Sequence, residues 1–349
     1  MSDAARAKAG RGIPRLLGRP RRGFGVRVAT IATTLAASLL ALAARGDDCF
    51  PTNGLGGCID SDELWPHAGS TPYLSIGPST TTPEGRVSFG LALSYSKRPI
   101  VLRVGSTDPA GRDLYLVDNL LDGTFLFALG ITDRFELSLA APMAFYEDGA
   151  GVGAIDGSGL RLPRSALRDG RFAFSYAFVK PRREPSRVSF GLVGRFEIAA
   201  PYGSGDAFAR SQTATLAPTL TAKVTIGRFN VASEVGARLR GVSVLGGTGW
   251  GPEITASLGV SARVWDLPKL DVGAEAFAMP APLVQPGGQV LAPGEWAVDV
   301  SAAPLLGGDL SFGLSGGGAI PFSQLALTAP LYRLSSVVRY APVDQPSRR

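Results

Sequence analysis

The sequence predicts an all-β fold: a transmembrane, antiparallel, up-and-down β-barrel of about 12 strands, preceded by a signal peptide. Three observations predict it. From Arg86 onward, large apolar residues alternate with small or polar ones. The connections between the alternating stretches are long and short by turns. The apolar content is spread along the chain rather than gathered into spanning helices.

The 349 residues are 45% hydrophobic and only 18% charged, with 45 Gly and 26 Pro, a composition that disfavours helix interiors. The mean hydropathy of +0.16 is high for a chain with one short apolar run, and it suits a cylinder in which alternate residues meet lipid. The formal charge of +6 arises in the leader. Eight of the 35 basic residues and one of the 29 acids lie in Met1–Ala43, so the remainder carries 27 bases against 28 acids. A nucleic-acid binder keeps its basic patch on the folded part, so none is expected as a partner.

The N-terminus reads as a Sec-type leader. Basic residues up to Arg27 precede the apolar run Val28 to Ala44, and Ala41-Leu42-Ala43 offers a small-x-small cleavage site, giving a signal peptide over 1–43. Residues 44–85 then read as a periplasmic segment. The chain's two cysteines, Cys49 and Cys58, fall within it, and export places them where a disulfide is expected to form. The barrel is assigned to 86–340 and a tail to 341–349.

The strands follow in order. Val87, Phe89, Leu91, Leu93 and Tyr95 alternate with Ser88, Gly90, Ala92, Ser94 and Ser96, which sends the two sets to opposite faces. The second strand ends on Phe125, Phe127 and Leu129. The third sets Phe135, Leu137 and Leu139 against Arg134, Glu136 and Ser138. The fourth shows Phe172, Phe174, Tyr176 and Phe178. The fifth opposes Phe190, Phe196 and Ile198 to Arg195 and Glu197. The sixth alternates Leu220, Ala222 and Val224 with Thr221 and Lys223, the seventh Val231 and Val235 with Glu234 and Arg238, and the eighth Ile254, Leu258, Val260 and Val264 with Glu253, Ser257 and Arg263. Four more run near Leu270–Ala278, Glu295–Ala303, Leu310–Ala319 and Leu331–Tyr340.

Short turns at 130–133, 180–187, 227–230, 265–269 and 305–308 interleave with long connections at 99–112, 147–170, 201–212, 241–251, 279–294 and 321–330. Outer-membrane barrels have short periplasmic turns and long outer loops, so the first strand runs outward. Tyr95, Phe145, Tyr202, Phe229, Trp250, Trp265, Trp296, Tyr332 and Tyr340 sit near strand ends, as interfacial girdles require.

Catalysis is not expected. The single histidine, His67, precedes the first strand, and no cysteine follows position 58. The Gly-rich stretch Gly149–Gly157 runs on to Pro163 and a new strand rather than opening a helix, so it reads as an outer loop and not a phosphate cradle. No cofactor or metal site is expected. The residues that carry function on this pattern are the inward charges: Arg134, Glu136, Arg195, Glu197, Lys223, Glu234, Arg238, Glu253, Arg263 and Glu275, with Arg171, Arg240, Arg333, Arg339, Asp271, Glu295 and Asp299. Their signs nearly balance, which argues against strong ion selectivity.

Three stretches, Asp62-Glu63-Leu64-Trp65-Pro66-His67-Ala68-Gly69, Gly85-Arg86-Val87-Ser88-Phe89-Gly90-Leu91 and Leu129–Leu137, carry a resemblance over residues 60–340. The chain resembles a group of little-characterised Gram-negative outer-membrane barrels, some of which have an OmpA-like peptidoglycan-binding domain after the barrel. No such domain follows in this sequence. The resemblance implies outer-membrane lipids and the barrel assembly machinery as partners, the latter reading a final aromatic, here Tyr340. The function expected is a passive channel or transporter-like barrel for small solutes. The alternatives are a structural or surface-interaction barrel with a closed lumen, and a secreted soluble all-β protein.

Overall fold

Stretches with a period of two become strands, and each pairs antiparallel with the next. The computed structural model describes residues 58–104, 112–157, 159–181, 188–245, 248–266, 269–280, 292–320 and 328–342. The leader, Cys49 and residues 343–349 lie outside them. In chain order the strands are β1 (Val87–Val104), β2 (Arg112–Gly130), β3 (Phe135–Asp148), β4 (Ala166–Leu167), β5 (Gly170–Val179), β6 (Val188–Ala200), β7 (Thr215–Ile226), β8 (Phe229–Arg238), β9 (Ser243–Leu245), β10 (Thr248–Trp250), β11 (Glu253–Asp266), β12 (Lys269–Ala278), β13 (Gly294–Leu305), β14 (Leu310–Ala319) and β15 (Tyr332–Tyr340). A single helical turn, α1 (Gly153–Asp156), interrupts the loop after β3.

Among the described residues, twelve of these strands form one closed antiparallel cylinder: β1, β2, β3, β5, β6, β7, β8, β11, β12, β13, β14 and β15, each bonded to two neighbours. The seam joins the first strand to the last, from Phe89 opposite Tyr340 to Lys97 opposite Tyr332. Phe89 and Tyr340 stack across it with centroids 5.0 Å apart. Short β4 leans on β3, and β9 and β10 make a separate small hairpin in the long connection between β8 and β11.

Two features of the strands and their connections depart from the sequence expectation. The first long connection begins later than Pro99, because β1 and β2 continue as a ribbon to the pair Val104 and Arg112. The register shifts between Lys97 and Ile100, and Arg98 takes a positive φ of 54°. That bulge absorbs Pro99, whose missing N–H would otherwise leave a gap in the ladder. The second departure concerns Trp250, expected at a membrane girdle. It is buried in an apolar cluster of the long connections with Ile59, Ile100, Leu116, Phe208 and Leu245, and the Arg240 guanidinium lies 3.3 Å over its ring.

The outward face is apolar. Phe125, Val235, Leu258, Val260 and Leu314 are each more than half exposed at mid-strand positions. Phe229, Trp265, Trp296 and Tyr332 are exposed at strand ends. A closed cylinder with a continuous apolar exterior offers lipid what water would penalise. Because the ring of pairing has no free edge, the folded protein is expected to resist SDS at room temperature and to change mobility on boiling. Identical migration on a gel before and after heating would contradict closure.

Candidate functional site: the occupied lumen

A cylinder of this strand number is wider than its own inward side chains fill. Here the chain fills it with residues preceding β1. Residues 44–85 were expected in the periplasm; the described part, 58–85, runs inside the barrel. It starts among the long connections, where the Ser61 N–H donates to the Phe208 carbonyl at 2.8 Å and Ser243 Oγ donates to the Cys58 carbonyl at 2.6 Å. It ends at the short-turn rim, where the Gly85 N–H reaches the Gly130 carbonyl at 2.9 Å and Thr81 Oγ1 donates to the Asp133 carbonyl at 3.1 Å.

Three acids in four residues pin its upper part to different walls. Asp60 pairs with Arg168, which also donates to Ser61 Oγ and lies 3.5 Å from Asp122 on β2. Asp62 meets Arg333 of β15 at 2.8 Å, and the same guanidinium holds Glu295 of β13 at 2.7 Å. Glu63 pairs with Arg238 of β8 and with Arg240 at 3.2 Å, while Arg240 also holds Glu253 at 2.5 Å. All of these groups are buried. Buried ion pairs roughly break even against desolvation, but removing one partner strands a charge, at about 3–5 kcal/mol. The network therefore acts on position more than on net stability.

Lower down, the wall grips backbone. Arg339 donates to the Thr71 and Tyr73 carbonyls at 3.1 and 3.2 Å. The Glu275 carboxylate accepts the Leu74 and Ser75 N–H groups and the Ser75 hydroxyl. Glu234 takes the Gly77 N–H at 3.1 Å, and Glu136 the Thr82 N–H at 2.6 Å. Apolar residues of the segment seat in shallow apolar patches of the wall: Leu64 and Leu74 against Ala92 and Val337, and Tyr73 and Ile76 against Ala232. Gly259 of β11 makes the second seat possible, since a Cβ there would stand 2.7 Å from the Tyr73 ring.

Trp65 is clasped between Arg171 and Arg238, whose guanidinium carbons lie 4.8 and 4.0 Å from its ring centre, a cation–π arrangement. Beside it His67 stands 3.8 Å from Glu197 and 3.9 Å from Glu234. A cavity opens between this part of the segment and the wall of β6, β7, β8, β11 and β12, with Trp65, His67, Glu197, Glu234 and Phe277 in its lining. The Thr219 and Thr255 hydroxyls also line it and have no protein partner among the described residues. Its lining mixes polar and aromatic side chains.

Of the residues singled out from the sequence, Glu136, Arg195, Glu197, Glu234, Arg238, Glu253 and Glu275 lie inside and are buried. Lys223 is half-buried on the same face, and Arg263, also half-buried, pairs with Asp271 at 3.3 Å. Arg134 stands elsewhere: it is exposed in the turn before β3 and donates to the Phe178 carbonyl at 3.4 Å, because the period of two stops where the turn begins. Sequence reasoning missed Asp60, Asp62, Glu63 and Trp65 on the inner segment and Arg168 in the loop after β4. The segment has no periodicity; the one available signal is that a twelve-strand lumen needs filling.

The outer connections carry a titratable group of their own. Asp169, just after β4, accepts the Ser211 N–H at 2.7 Å and the Gly203 N–H at 3.1 Å. Burial pushes its carboxyl up to about 7, against the downward pull of the Ser211 N–H. A raised value means that the folded state favours the protonated form. The contribution is complete below an unfolded carboxyl's value of about 4 and is lost as pH rises through about 7. Hydrogen exchange in residues 203–211, corrected for intrinsic rates, should therefore be faster at about pH 8 than at about pH 6. Asp169→Asn should abolish the difference; a difference that persists in the variant would assign it to another group.

No protein-family model matches the sequence, and no curated protein matches it. Solved structures do. The barrel shares its fold with an outer-membrane channel. That structure is the COG4313 outer membrane channel from Pseudomonas putida F1, similar at a TM-score of 0.53 and 14% identity over 77% of this chain and 100% of that one. The KdgM porin aligns at a TM-score of 0.41 and 10% identity over 73% of this chain and 99% of its own, and the NanC porin at 0.41 and 6% over 74% and 100%. At such identities the likeness is one of fold.

Proposed function

We propose that this protein is an outer-membrane channel that passes small solutes through the space between its wall and the segment lodged in its lumen. One observation carries the proposal: the apolar exterior encloses an interior lined by charges and hydroxyls, with a cavity beside a segment held by ion pairs and hydrogen bonds. Such contacts can be exchanged for water or solute, as a packed apolar core cannot. Outer-membrane lipids are the partner of the exterior. The barrel assembly machinery is the partner of the closing strand, which ends on Tyr340. The leader over 1–43 directs export, and the chain is assigned no catalytic role.

Single-channel recording on refolded protein tests the proposal. A small, steady conductance in the wild type is expected. Silence in the wild type and in variants that unpin the segment would instead favour a closed structural or surface-interaction barrel, a reading supported by the density of pairs around Asp60, Asp62 and Glu63. Recovery of the protein in a soluble fraction would return it to the secreted all-β class.

Cys49 and Cys58 are proposed to form a disulfide in the exported protein. Alkylation with mass spectrometry should find no free thiol. Replacing both cysteines by serine should leave the heat-modifiable form intact, since the loop they close precedes every strand.

A further inference from the structure

The polar lining of the cavity beside Trp65 divides into groups that are already satisfied and groups that are not. Its carboxylates and guanidinium are satisfied. Glu63 pairs with Arg238 and Arg240, Glu197 lies 3.5 Å from Arg171, and Glu234 lies 3.5 Å from Arg195 and also accepts the Gly77 N–H and the Thr221 hydroxyl. Two of its hydroxyls are not. Thr219 of β7 and Thr255 of β11 both stand opposite Gly236 of β8, one on each side, and their hydroxyl oxygens are buried with no hydrogen-bond partner among the described residues. Gly236 makes room for the pair, since a Cβ there would stand 2.7 Å from Thr219 Cγ2 and 3.0 Å from Thr255 Oγ1. Buried hydroxyls are costly to leave unpaired, so two of them lining one cavity call for an occupant that supplies the missing bonds.

We propose that this cavity is a selectivity site for small neutral polyols. The inference deepens the channel reading above and rests on it. An ion, or a zwitterion with separated charges, would have to shed water where each carboxylate and guanidinium already has a counter-charge. A polyol carries no charge, and each of its hydroxyls both donates and accepts, which matches a pair of threonine hydroxyls. Phe277 and Met279 give its C–H groups an apolar lining. The spacing sets the size. Two strand separations place the Thr219 and Thr255 backbones roughly 9–10 Å apart, and a hydrogen bond of about 2.8 Å at each end leaves a gap that a chain of about four carbons spans. Two such bonds hold a solute firmly enough to select it and weakly enough to release it.

Swelling of vesicles carrying the refolded full-length protein tests this, with erythritol set against γ-aminobutyrate, a zwitterion of the same carbon number, and protein-free vesicles as the baseline. Erythritol is expected to enter severalfold faster than γ-aminobutyrate through the wild type. Thr219→Val with Thr255→Val keeps the side-chain shapes and breaks no existing hydrogen bond, and it should bring the ratio of the two rates close to one. Thr219→Ser with Thr255→Ser restores the hydroxyls and should keep the wild-type preference. Each single valine variant should fall between, which covers the case of a double variant that does not fold. Equal rates in the wild type, faster entry of γ-aminobutyrate, or a preference that survives in the valine variants would overturn the inference. A preference lost equally in the serine pair would assign it to packing and overturn it too. Potassium chloride conductance on the same preparation separates the two levels. Conductance with no erythritol preference overturns this inference and leaves the channel standing, whereas silence with no swelling in either solute overturns both.

Discussion

Glu63→Lys is expected to raise the conductance of the refolded barrel severalfold over the wild type. Glu63 pairs with both Arg238 and Arg240, and it is buried with both of them. A lysine there sets a third positive charge beside two guanidiniums in a space from which water is largely excluded. Stranding a buried charge costs about 3–5 kcal/mol, which shifts the balance between seated and unseated segment by on the order of a hundred- to several thousandfold. The barrel itself keeps its strand pairing, so the heat-modifiable form should persist. Glu63→Gln, which removes the charge but keeps a hydrogen-bond acceptor, should fall between the two. Wild-type conductance and unchanged thermal stability in Glu63→Lys would mean that the acid does not hold the segment.

Leu258→Arg should sharply reduce folding into lipid, whereas Ser257→Arg, one residue away, should be tolerated. Leu258 is 58% exposed near the middle of β11 on the outward face. An arginine facing the hydrocarbon midplane costs roughly 2–4 kcal/mol, a loss of on the order of thirty- to a thousandfold in the folding equilibrium. Ser257 faces inward, borders the luminal cavity and lies opposite Glu234 in the register of β8, so an arginine there gains a carboxylate partner. Folded yield in vesicles, read by the boiling shift, separates the two. Equal losses, or the reverse order, would mean that β11 presents the other face to lipid, since a one-residue slip exchanges every side chain.

Those faces were legible in the sequence because alternation is a local consequence of strand geometry and needs no knowledge of partners. Loop lengths were legible for the same reason, and together they gave strand number and closure. What escaped depended on contacts between distant residues. Pro99 reads as a terminator when the ladder around it is unseen, yet a bulge at Arg98 carries β1 past it to Val104. Arg134 kept its place in an alternating count that the turn had already ended. Asp60, Asp62 and Glu63 carry no local sign of burial, because their partners Arg168, Arg333 and Arg238 lie 108, 271 and 175 positions downstream.

The seam between β1 and β15 joins residues at opposite ends of the barrel sequence, Phe89 with Tyr340. Closing so long a loop is entropically costly and slow, and it comes after every local hairpin has formed. The inner segment adds an order to these events. Once β15 zips onto β1, the lumen is a tunnel with no lateral entrance, and a chain carrying Trp65, Tyr73 and bulky arginine partners would have to be drawn through it end first. Wrapping the growing sheet around a segment already laid down avoids that passage. The segment holds β8 through Arg238 and Glu234 and β12 through Glu275, strands far from the seam, so a sheet rolled around it has attachment points before its edges meet.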